Sequence, residues 1–125
     1  MKTLATLLLM IVTLTMVSCS PPPSVAEVIT QAIKARRTVL LYYDQGDDAG
    51  PQVVEPHLLG RTESDNQVLR AWFLHTIPKS TKGPGWRLYM VSRIRSIKLA
   101  DPFEWPRPDH DPTGGKAFKT VEAAL

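Results

Sequence analysis

The sequence predicts a small, mainly β domain with one N-terminal helix and a strongly bent five-stranded barrel. Three observations predict it. A single stretch of helical periodicity begins near residue 24, and five short runs rich in branched and aromatic residues follow, separated by Gly, Pro and Asp clusters. A proline-punctuated tail then excludes a further inner strand between residues 102 and 112. One helix followed by short strands of this spacing is the pattern of a closed or nearly closed β fold.

The first element lies outside that fold. Residues 4–17 are almost wholly apolar behind Lys2, and the run is shorter than the roughly 20 apolar residues that span a bilayer. It reads as a targeting segment, residues 1–18 forming a signal peptide. Met16-Val17-Ser18-Cys19 resembles the bacterial lipobox, with Met16 where leucine is usual, so Cys19 is the expected lipidation site. Cys19 is also the only cysteine, which leaves no thiol for a disulfide or a metal. The expected localisation is therefore exported and membrane-anchored, on the periplasmic or surface side. Residues 19–23 make a lipidated cysteine and a stiff proline spacer.

The domain proper is expected over residues 24–101. Ser24 and Glu27 fit a capping box, and Val25, Val28, Ile29, Ala32 and Ile33 recur on one helical face. Lys34, Arg36 and Arg37 close that helix in keeping with its dipole. Strands are expected at residues 38–43, 52–62, 67–76 and 86–91, with a fifth ending near Leu99. The spacing of Val91, Ile94 and Ile97 breaks period two and predicts a tight helical turn before the fifth. Residues 44–51 and 78–85 read as turns and loops. Within 67–76, alternation sets Val68, Arg70, Trp72 and Leu74 against Leu69, Ala71, Phe73 and His75. Residues 102–125 are expected to be a strap anchored by Phe103 and Trp105, and a C-terminal segment that pattern alone leaves open between strand and helical turn.

Charge singles out a function class. Eight Lys and Arg against two acids give residues 61–98 a net charge of +6, whereas the whole chain carries +3. That surplus suits an anionic partner, a solvated face or lipid headgroups beside the anchor. Arg70, Arg87 and Arg93 are the candidate cations, and Trp72 and Tyr89 the candidate stacking surfaces; barrel core is the competing reading for the two aromatics and an ion pair for Arg93. Catalysis is not expected: His57, His75 and His110 lack metal-ligand spacing, and no phosphate loop or nucleophile elbow occurs. No cofactor and no metal are implied.

Four ordered blocks carry a family resemblance. Residues 32–43, 54–61, 68–72 and 85–94 together resemble a WYL domain, above all its short stand-alone members, and Arg107-Pro108 with Lys116-Ala117-Phe118 resembles their tail. The resemblance implies an Sm-like or SH3-like barrel and a non-catalytic sensing role with a basic pocket for a nucleotide-like ligand or nucleic acid. The family's naming tripeptide falls at Gln67-Val68-Leu69, of which only the leucine is kept. Its later motif maps to residues 89–94, with Met90 in place of an Arg and Ser92 in place of an Asp. The leading expectation is a membrane-tethered WYL-like module binding an anionic ligand or a protein partner. A structural or protein-interaction lipoprotein, self-associating or not, is the second. A cytoplasmic nucleic-acid-binding regulator follows only if the N-terminus is not exported.

Overall fold

The computed structural model of the chain describes residues 21–125. Residues 1–18 and the proposed lipidation site Cys19 lie outside the described residues. The order of elements is α1 (Val25–Ala35), β1 (Arg37–Tyr43), β2 (Gly50–Arg61), β3 (Gln67–Thr76), β4 (Gly85–Met90), β5 (Ile94–Pro102) and β6 (Thr120–Ala124).

Helix α1 forms where its capping box places it. The Ser24 hydroxyl accepts the Glu27 N–H at 3.1 Å, satisfying one orphan donor of the first turn. Val28, Ile29, Ala32 and Ile33 are its buried stripe. Arg36 ends it in the left-handed region (φ 54°), with its N–H directed to the carbonyls of Ala32 and Ile33.

The strands form one antiparallel sheet in the order β4-β3-β2-β1-β5, with β6 added to β2. Strand β2 organises the whole. One of its edges pairs with β3 from Gln52 to Arg61; the other pairs first with β1, over Gly50 to Val54, and then with β6, over Leu58 to Arg61. A strand shared in this way must bend, and two irregularities against β3 supply the bend. The second leaves His57 without a partner between the Pro56–Ala71 and Leu58–Arg70 pairs. Proline is suited to that place, since it has no N–H to give to a ladder.

The sheet is therefore mainly β with one helix, as expected, but it is open: β4 and β5 are its two edges and do not pair with each other. The sixth strand is the segment that pattern left undecided. The turn before β5 is a 3-10 turn over Val91–Arg93, as the break in period two predicts.

The main core lies between α1 and the concave sheet face, with Ile29, Leu41, Val54, Leu59, Leu69, Phe73 and Tyr89 at its centre. Leu69, Ala71 and Phe73 face it from β3, as alternation predicts. A smaller apolar cluster of Leu58, Val68 and Phe118 covers part of the opposite face. Gly60 allows this close approach: a Cβ there would collide with the Thr120 carbonyl and stand 2.9 Å from Phe118 Cδ1.

Candidate functional site: a basic groove beside a latched strap

The opposite face of the β2–β3–β4 sheet carries Glu55, Trp72 and Trp86 side by side, because Glu55 pairs with Trp72 and Trp72 with Trp86. The strap crosses this face. Its anchor is Arg107, whose guanidinium donates to both oxygens of Glu55 at 2.6 and 2.8 Å and lies 5.4 Å from the Trp72 ring. Glu55 is only 4% exposed, so the pair is charge-assisted on a nearly dry acceptor. The Glu55 carboxylate in turn holds the Arg107 guanidinium above its ordinary value.

His57 is aimed at the strap by the bulge. The Arg107 backbone N–H donates to His57 Nε2 at 3.0 Å, which puts the ring proton on Nδ1, and Nδ1–H donates to the Glu55 carbonyl at 2.8 Å. Both ring nitrogens are thus engaged. Burial, first of all, pushes the His57 pKa down, and neighbouring His110 and Arg107 act in the same direction. Phe103 stacks on the His57 ring at 5.7 Å, with Trp86 and His110 packed against its other sides. The Trp86 indole N–H donates to the Pro108 carbonyl. Of the two aromatic anchors expected for the strap, Phe103 packs in, while Trp105 is 74% exposed. Arg107, Glu55 and His57 do the holding, and the sequence reading had not paired them.

Beside this covered face runs an open groove of about 660 Å³, lined by Asp48, Arg70, Trp86, Arg87, Leu88, Ala117 and Phe118. Two of the candidate cations line it. Arg70 lies over the Trp86 ring at 4.8 Å and, among the described residues, has no carboxylate within ion-pair distance. Its charge contributes to holding Asp111 below the usual carboxylate range, behind the larger effect of hydrogen bonds from Thr113. Arg87 pairs with Asp48 at 2.8 Å, with its guanidinium 3.7 Å from the centre of the Phe73 ring.

The other candidates lie elsewhere. Arg93 is exposed on the 3-10 turn and lines no part of this groove. Tyr89 is fully buried, its hydroxyl donating to Gln52 Oε1 at 2.6 Å and its ring edge-on to Tyr43, and burial raises its pKa. Trp72 lies under Arg107 and against Trp86. Neither aromatic offers a free face for stacking. His75 directs Nδ1 to the Thr76 carbonyl. Among the described residues no three His, Cys, Asp or Glu side chains could hold a metal ion, and no helix is long and apolar enough to cross a membrane. No protein-family model matches the sequence, and no curated protein matches it.

Proposed function

We propose that this chain is a non-catalytic, WYL-like binding module, tethered to an envelope membrane through Cys19, that takes an anionic partner in the Arg70–Arg87 groove. The observation that carries the reading is that Arg70 and Arg87, from opposite faces of the sheet, line one open groove along the edge of β4. Arginines at the two sides of a groove can give charge-assisted, bidentate contacts to a carboxylate or phosphate. The bent β2, gripping β1 and β6 along one edge, supports an SH3-like or Sm-like lineage for the sheet. The engaged nitrogens of His57 support a binding role over a catalytic one. Lipidation rests on the residues around Cys19, and the proline spacer after it would hold the domain off the bilayer.

Two measurements test the proposal. Fractionation of the native host with mass spectrometry of the mature N-terminus is expected to find acylated Cys19 in the membrane; an intact soluble chain would refute the tether. Titration of the full-length protein with anionic probes, from inorganic phosphate and nucleotides to acidic peptides, is expected to show binding that Arg70→Ala weakens and Arg93→Ala leaves unchanged. Equal loss in both variants would dismiss the groove.

A further inference from the structure

Three consecutive residues of β4, Trp86, Arg87 and Leu88, line the groove. Successive side chains of a strand point to opposite faces, so a concavity bounded by three in a row lies along the strand's edge. That edge is bare: β4 pairs with β3 alone, and among the described residues no other strand reaches it.

The backbone groups that face the groove can be named. The Met90 N–H donates to the Tyr43 hydroxyl at 2.9 Å, away from β3, which makes Met90–Val68 a pair without mutual hydrogen bonds. In an unbroken antiparallel ladder such pairs alternate. The Leu88–Arg70 and Trp86–Trp72 pairs are then of the same kind, and the N–H and C=O groups of Trp86 and Leu88 point out of the sheet into the groove. Leu88 is 53% exposed beside them. Long apolar edges are usually blunted, whereas this one is left open, with Ala117 and Phe118 lining the same groove of about 660 Å³.

We propose that β4 is a strand-addition site: an extended acidic polypeptide segment pairs with the outward N–H and C=O groups of Trp86 and Leu88, its carboxylates meeting Arg70 on one face of the strand or Arg87 on the other. The occupant follows from the groove's chemistry. Main-chain bonds give affinity at such an edge, alternate side chains give selectivity, and the cations select acids. A stacked nucleobase is disfavoured, since Trp86 already has Arg70 over its ring and His110 stacked at 6.3 Å. The proposal rests on the groove reading above and names its partner class.

The test uses the full-length protein and a fluorescent heptapeptide of alternating Glu and Val. Two isomers each carry three N-methyl groups, on the three valines or on the last three of the four glutamates. Charge and sequence are the same in all three, but one methylated isomer has lost the N–H groups that would face β4. That isomer is expected to bind roughly tenfold or more weakly than the parent, the other to bind like the parent. Hydrogen exchange is expected to slow on binding at the Trp86 and Leu88 amides and to stay unchanged at Arg87, whose amide is already in the β3 ladder. Equal binding of all three peptides, still weakened by Arg70→Glu, would overturn strand addition and leave the anion groove standing. No binding of the parent, or binding indifferent to Arg70→Glu, would overturn both. Tighter binding of an octathymidylate, or protection of the two amides by dimerisation without peptide, would overturn the assignment of the partner.

Discussion

Truncating Arg107 to alanine removes the strap side chain that ion-pairs with Glu55 of the sheet. Two charge-assisted hydrogen bonds to Glu55 are lost, each worth about 1.5–3 kcal/mol where the acceptor is dry. The Arg107 side chain is itself 38% exposed, so solvent screening and side-chain entropy offset about half of that sum. Loss of the contact with Trp72 adds about 0.5 kcal/mol. The expected cost is about 3 kcal/mol, most of it from leaving the Glu55 carboxylate buried without its partner.

Urea unfolding of the full-length chain measures it. With a slope of about 1–1.5 kcal/mol/M for a domain of this size, the midpoint should fall by about 2–3 M. Arg107→Lys, which keeps the charge and loses the fork, should cost about half as much. In a cycle with Glu55→Gln the coupling should be about 2 kcal/mol. A cost below about 1 kcal/mol for Arg107→Ala, or additive single changes, would show that the strap is held by its apolar contacts and refute the reasoning.

Other consequences can be checked on the same material. The folded-state pKa of His57 lies below its unfolded value of about 6.5, so the unfolded chain binds the extra proton first; its contribution to stability is complete above that pH and is lost as pH falls through the lower folded value. Stability is expected to decline on acidification below that point, and His57→Gln, measured against His110→Gln, should flatten the decline; an unchanged pH profile in the His57 variant would count against the latch. Gly60→Ala forces β6 and Phe118 away from β2 and is expected to cost about 1–3 kcal/mol in a thermal or urea melt. Tyr89→Phe strands the buried Gln52 oxygen and should cost about 1–2 kcal/mol without altering peptide or anion binding. Ser24→Ala should cost about 1 kcal/mol through the lost cap, with exchange at the Glu27 amide as the local readout.

What the sequence made legible was periodic. The stripe of α1, the two faces of β3 and the turn before β5 each follow from spacing, and each stands in the structure within a residue or two. What it concealed depends on long-range pairing. Nothing local says that residues 120–124 complete the edge of β2 where β1 leaves it, because Thr120–Ala124 gains its strand character only from Leu58–Arg61. Without that pairing in view, five strands invite closure into a barrel, whereas the sixth occupies β2 and leaves β4 and β5 apart. The Glu55–Arg107 pair is separated by half the domain, and only Pro56 gave a local hint, since proline inside a strand run marks an irregularity that re-aims its neighbour.

The same geometry explains why basic charge counts were a coarse guide to the site. Arg70, Arg87 and Arg93 contribute alike to the +6 of residues 61–98, yet only the first two share a groove, and Arg87 spends part of its charge on Asp48. The strap covers Trp72 and engages His57, so the aromatic face that composition suggested for stacking is occupied by the chain itself. The proposed strand-addition site accordingly lies at the edge of the sheet and not on its face. At an edge the backbone supplies the contacts, and the side chains need only choose among sequences that can extend. Met90 lies at the end of that edge with its N–H tied to Tyr43. Met90 thus marks the point where outward backbone groups stop being free, and Met90→Arg should strengthen binding of phosphate more than binding of an extended acidic chain.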